Sequence, residues 1–284
     1  MRLALLRFLL REDLNFLLTN RIPRRLATQA VGRIARVEHP LVARPALAAW
    51  RFFSDVDLSD AETTRFRSLR DGFVRRLRPG ARAFDRDPAA IASPCDAVVG
   101  AHGRIEGDRV FQVKSFPYRL GDLVPDPALA KTYRDGSFVT LRLTAAMYHR
   151  FHAPADLTVE GVTYLSGDCW NVNPIALRRV ERLFCRNERA AIETRLVDGT
   201  PMLLVPVAAI LVASIRLSFL DTARSLREQG SARVPCAARI AKGEEMGWFE
   251  HGSTILVFLP ASVSLAPGLE EGRAIRAGER LATR

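Results

Sequence analysis

The chain changes texture near Pro88, and any fold it adopts must accommodate different kinds of sequence on the two sides of that point. On the N-terminal side Leu3, Leu6, Leu10, Leu14 and Leu17 recur every three or four residues, the spacing of one helical face. Arg2, Arg7 and Arg11 lie off that face or at its edge, while Leu5, Phe8, Leu9 and Phe16 fall elsewhere. A basic helix this rich in leucine and phenylalanine can lie in a membrane interface or pack on its own domain. Further helices are predicted over 46–53 and 60–77, the second capped by Ser59 or Asp60 and stopped by Pro79-Gly80. Beyond Pro88 come short β-type runs punctuated by glycine, proline and aspartate: 97–99, 109–114, 138–143, 157–164, 190–197, 202–215 and 254–259. A short helix is expected over 174–184. The expected fold is α+β: a helical, membrane-associating region over residues 1–80, then a β-rich, mainly antiparallel domain over residues 81–284.

Charge sharpens the first part of that picture. The net charge is +11, and nine arginines against three acids place six of those charges in the first fifty residues. An anionic surface is the partner such asymmetry suits. Nucleic acid is not expected, because no aromatic stacking motif or recognition module accompanies the charge. The four cysteines, Cys95, Cys169, Cys185 and Cys236, form no C-x-x-C pair, so a reducing compartment is expected and no thiolate metal site. Arg7 and Arg11 interrupt the N-terminal apolar run, which argues against a secretory signal. The apolar run 202–215 contains Pro206 and falls short of the roughly 20 residues a spanning helix needs, so it reads as buried strand.

The phosphate-loop, dinucleotide, zincin and nucleophile-elbow templates are all missing from the sequence. What remains is Asp96 in SPCD, His149 and His152 in YHRFH, and Ser253 in HGST. On a helix the two histidines would share a face and could chelate a metal; on a strand they would point to opposite sides, and no third ligand is suggested nearby. Asp96 reads as a turn residue or as an acid–base group. Ser253 stands where a loop enters the strand-like TILVFLP, and the preceding KGEEMGWFE, with two glycines and three acids, reads as an exposed loop.

Eight segments taken in order resemble the phosphatidylserine decarboxylase family: NRIPRR, FVRRLRPGARAFD, SPCDAVVG, FQVKSFPYRLGDL, DGSFVTLRLTAAMYHRFHAP, SGDCWNVNP, LFCRNER and KGEEMGWFEHGST. The resemblance implies a proenzyme that cuts itself between Gly252 and Ser253, leaving a large and a small chain and converting Ser253 into a covalent pyruvoyl group. It implies that Asp96 and His152 assist the Ser253 hydroxyl, in the nucleophile, base and orienting-carboxylate arrangement of serine enzymes. A glycine at 252 leaves the attacked carbonyl open to approach. His149 is implied in handling the substrate carboxylate or donating a proton. The activity implied is decarboxylation of phosphatidylserine to phosphatidylethanolamine and CO2, with residues 81–284 as the catalytic domain and no metal. The implied setting is peripheral, on the cytoplasmic face of an anionic cell membrane, with a homo-oligomer left open.

Three departures from the family pattern bear on this. Ala97 follows Asp96 where glycine is common, VPVAAILVASI carries alanines at two usual glycines, and His251 stands where an apolar residue is typical. Alanine serves there only if the backbone avoids positive φ. The alternatives are a pyruvoyl-dependent decarboxylase of another serine-headed lipid or an amino acid, or an unprocessed lipid-binding relative.

Overall fold

The computed structural model describes residues 8, 11–113, 116–210, 215–221, 232–250 and 253–284. The chain begins with α1 (Glu12–Asn20), α2 (Arg24–Ala35), α3 (Pro40–Phe53) and α4 (Leu69–Phe73). Glu12 and Asp13 favour the start of α1 by facing the positive end of its dipole, and both reach Arg179. The helix expected over 46–53 starts earlier, at Pro40, a residue suited to a first turn because it has no N–H to satisfy. Leu3, Leu6 and Leu10 lie outside the described residues.

The helix expected over 60–77 is confined to the five residues of α4, and its cap is Ser68 rather than Ser59 or Asp60. The two ends of the segment pair with each other instead: Ala61 bridges Leu77, Glu62 N–H donates to Arg76 O and Arg78 N–H to Asp60 O. Backbone groups used in that closure are not available to a helix.

The strands and short helices follow in order: β1 (Ala90–Ala92), β2 (Ala97–Arg104), β3 (Arg109–Val113), β4 (Phe116–Arg119), α5 (Leu120–Leu123), α6 (Pro127–Thr132), β5 (Ser137–Leu143), β6 (Arg150–His152) and β7 (Leu157–Leu165). Then come α7 (Pro174–Leu177), α8 (Leu183–Arg186), β8 (Arg189–Leu196), β9 (Pro201–Ala208), β10 (Ile215–Leu217), β11 (Arg233–Ile240), β12 (Glu245–Phe249), β13 (Ser253–Leu259), β14 (Ser264–Leu265), β15 (Ala274–Ile275) and β16 (Arg280–Thr283). The fold is α+β, with an antiparallel eight-stranded sheet in the order β11-β7-β8-β9-β13-β5-β2-β15. All seven residues of β13 are buried, which accounts for its continuous apolar run: a central strand covered on both faces has no polar side.

Two expected elements divide. The run 202–215 becomes β9 and β10, with 211–214 outside the described residues. The helix over 174–184 becomes α7 and α8, separated at Arg182, whose φ of 52° is left-handed and cannot continue a right-handed helix.

The expected exposed loop before Ser253 is a buried strand. β12 pairs with β6 and β10, and Met246 and Phe249 are fully buried. Glycine is required at 247, because a Cβ there would stand 2.1 Å from the Arg216 carbonyl oxygen. Two of the three acids that argued for a loop are neutralised by distant arginines: Arg150 Nη1 meets Glu245 at 2.6 Å, and Glu250 is held by three others.

Candidate active site

Ser253 opens β13 between two neighbours, paired with Leu143 of β5 and Ala208 of β9. Its side chain is fully buried, and its Oγ has no hydrogen-bond partner among the described residues. A buried hydroxyl left unpaired costs stability, so its retention calls for a chemical reason. A cavity of about 280 Å³ lies at this end of the sheet, lined by Leu143 itself and Thr144 on one side and by Ala209 and Ile210, just beyond Ala208, on the other. Gly252 and His251 lie outside the described residues.

Asp96 sits just before β2. That strand and β13 both run antiparallel to β5, so Asp96 and Ser253 stand at the same end of the sheet. Asp96 is buried and gripped by Arg82, Nε to Oδ1 at 2.8 Å and Nη2 to Oδ2 at 2.5 Å; Oδ1 also accepts the Ala277 N–H. Arg82 reaches Asp60 as well, and the hydrogen bond to Asp96 is the largest cause holding its pKa above the ordinary arginine value. Ala97 lies within β2 without positive φ, so alanine replaces glycine there without strain, and Ala208 and Ala209 likewise avoid positive φ. Ala213 lies outside the described residues.

His152 ends β6 and is tied to the Asp96 turn through the backbone, its N–H donating to Pro94 O at 2.8 Å. Its Nδ1 stands 2.9 Å from Gly243 O, which can only accept, so Nδ1 carries the proton and Nε2 the lone pair. Tyr148 Oη donates to that lone pair at 3.0 Å and its ring stacks on the imidazole. Burial lowers the His152 pKa, and the Gly243 contact and the charges of Glu245 and Asp96 only partly offset it. The imidazole is therefore neutral at neutral pH.

His149 precedes β6 and is fully buried against the edge of Phe73, with ring centroids 5.1 Å apart. Its Nδ1 donates to Met147 O at 2.8 Å, and its carbonyl accepts the Phe249 N–H at 2.9 Å. The two histidines thus do not share a helical face. Among the described residues no group of three or more His, Cys, Asp and Glu side chains could hold a metal.

Asp96 and His152 come together, and His149 lies along β12 four positions short of Ser253. No described hydrogen bond joins Ser253 Oγ to either histidine or to Asp96. Sequence reasoning missed Arg82, Tyr148 and Glu250. Arg82 and Tyr148 fall inside the quoted motifs GARAFD and YHRFH, which was the available signal. Glu250 is 2% exposed and meets Arg36 at 2.7 Å, Arg70 at 3.0 Å and Arg216 at 4.0 Å. Burial raises its pKa, but the hydrogen bonds and charges of Arg36 and Arg70 outweigh that and hold it below the ordinary value.

The helical region borders the same cavity. Asn15 and Asn20 of α1 hydrogen-bond Asn173 and Asn171 of the cavity wall, while Leu17 and Leu18 of that helix face solvent. Among the described residues, every exposed large hydrophobic side chain except Val197 belongs to residues 8–53. No described helix is long and apolar enough to cross a membrane.

The phosphatidylserine decarboxylase family model matches residues 69–283. The chain is 37% identical over 270 residues to a phosphatidylserine decarboxylase proenzyme of Halorhodospira halophila, spanning 92% of this chain and 90% of that one. It is 36% identical over 281 residues to the proenzyme of that name from Methylibium petroleiphilum, spanning 95% and 98%. With the one from Erwinia tasmaniensis it shares 34% over 274 residues, spanning 92% and 91%.

Proposed function

The chain belongs to the phosphatidylserine decarboxylase family, and on that premise we propose that it is a self-processing proenzyme that converts phosphatidylserine to phosphatidylethanolamine and CO2. The observation that carries this reading is Ser253: a buried, unpartnered hydroxyl at the first position of a central strand, beside a cavity. Its hydroxyl attacks the Gly252 carbonyl and the peptide C–N bond breaks, leaving an ester; β-elimination releases residues 1–252 as the Gly252 carboxylate, and hydrolysis releases the Ser253 nitrogen as ammonia from residues 253–284.

His152 serves as base. Its Nε2 holds the lone pair, and the proton can be taken once the Tyr148 hydroxyl releases it. Arg82 keeps Asp96 in one orientation, and the negative charge favours the imidazolium as it forms. A pyruvoyl group derived from Ser253 would supply a ketone able to take up the electron pair as CO2 leaves. The residues fit such a group, since Ser253 makes no described side-chain hydrogen bond that its loss would break. His149, held by Met147 O through Nδ1, donates from Nε2, when protonated, to the carbon that has lost CO2.

The N-terminal region, residues 1–80, seats the enzyme peripherally on the cytoplasmic face of an anionic membrane, with residues 81–284 as the catalytic part. Exposed Leu17, Leu18, Phe52 and Phe53 support this seat, and each basic residue near an anionic leaflet contributes about 1 kcal/mol. Purified protein should form phosphatidylethanolamine from phosphatidylserine in mixed micelles, and Ser253→Ala should form none. Equal product from the variant would refute the assignment.

A further inference from the structure

Arg142 of β5 lies directly opposite Thr254 of β13 on one side and Val98 of β2 on the other. Cross-strand partners share a face and successive residues alternate, so its side chain leaves the sheet beside Thr254, on the face opposite the Ser253 side chain and one position from the start of β13. It is half-buried, burial lowers its pKa, and no acid among the described residues offsets that effect. Its guanidinium has no described hydrogen bond or ion pair, whereas the interior Arg75, Arg82, Arg150 and Arg189 all donate to carbonyls or carboxylates. A partly desolvated cation without a counter-charge is costly, and binding an anion would offset that cost.

Arg142 lines the 280 Å³ cavity at the mouth of β13 and a second one of about 330 Å³ along the β2–β5 face. In the second, one acid, Glu271, faces Arg142 and Arg178; the wall of the first contains no acid. The first cavity is at the small end of ligand sites, enough for a polar headgroup with the acyl chains left outside.

We propose that Arg142 anchors the phosphodiester of the substrate headgroup in the cavity at the mouth of β13. The assignment rests on the reading of the chain as a phosphatidylserine decarboxylase. The headgroup offers a carboxylate and a phosphodiester, and the reaction distinguishes them. Loss of CO2 removes the carboxylate's charge, so a cation fixed on it would stabilise the ground state more than the transition state. The phosphodiester keeps its charge throughout, and a guanidinium fork matches its two oxygens without opposing the chemistry.

The test compares wild type, Arg142→Gln and Arg142→Lys by self-cleavage, by kinetics on a short-chain phosphatidylserine, and by inhibition with glycerophosphoethanolamine, which has the phosphodiester but no carboxylate. Arg142→Gln should process normally, with KM and the inhibitor Ki both raised roughly 10- to 100-fold and kcat within about threefold. Arg142→Lys, which keeps the charge but loses the fork, should raise both several-fold and decides the matter if the glutamine variant does not fold. Raised KM with unchanged Ki would move Arg142 to the carboxylate and overturn the assignment; both unchanged would overturn it outright. A wild type that cleaves itself but ignores phosphatidylserine would refute the substrate reading, and this assignment with it.

Discussion

Glu250 and Arg36 are in contact, Oε2 to Nη2 at 2.7 Å, although 214 positions separate them in the chain. One stands just after α2 and the other two residues before Gly252, so the contact fastens the helical region to the segment that carries the proposed cut. Arg70 and Arg216 complete the grip on a carboxylate that is 2% exposed.

Removing that charge while keeping its shape leaves the arginines without their shared partner. Glu250→Gln should lower unfolding stability by about 3 kcal/mol, measured by urea titration in a Ser253→Ala background so that only uncut chain is compared. It should also slow self-cleavage in the otherwise native chain. Arg36→Ala should cost less, because Arg36 is 49% exposed. A Glu250→Gln chain as stable and as quickly cut as wild type would show that the grip does neither task.

The lowered pKa of His152 has consequences for pH. A base kept neutral by burial remains a base below its ordinary value of 6.5, so pulse-labelled proenzyme should cleave at a constant rate from pH 8 down to 6.5 and slow only below it. The sign for stability is the same: a depressed pKa contributes stability above 6.5 that is lost as pH falls through the lowered value. Glu250 adds a second loss at lower pH, below its ordinary 4.5. A cleavage midpoint above 6.5 would contradict the role given to His152.

The apolar side chains of residues 8–53 make the membrane seat measurable. Leu17→Asp combined with Phe53→Asp should abolish co-sedimentation with phosphatidylserine-containing vesicles, since each lost side chain forfeits about 1.5–3 kcal/mol of burial. Turnover of a monomeric short-chain substrate should be retained. Unchanged sedimentation would place the docking surface elsewhere.

Legibility in the sequence follows the distance over which each residue finds its partners. The run 254–259 could be read as strand because its neighbours on both faces are apolar, which the residues themselves report. β12 could not: Glu245 within it and Glu250 just after it look solvated until Arg150, Arg36, Arg70 and Arg216 arrive from elsewhere in the chain. The segment 60–77 has helical spacing, yet its ends close on each other, a choice that local periodicity does not encode. At the site, Asp96, His149, His152 and Ser253 stand out by their local contexts, but their roles came from the family resemblance rather than from their spacing. Arg142 escaped notice because an arginine in a strand is ordinary until its lack of a counter-charge is visible in three dimensions.

The central claim is that this chain makes its own reactive group from Ser253, and intact-mass spectrometry of the purified protein tests it most directly. The account predicts two species, residues 1–252 and residues 253–284, the smaller one bearing a pyruvoyl group at its start. A single full-length species of 284 residues, persisting on incubation, would contradict it.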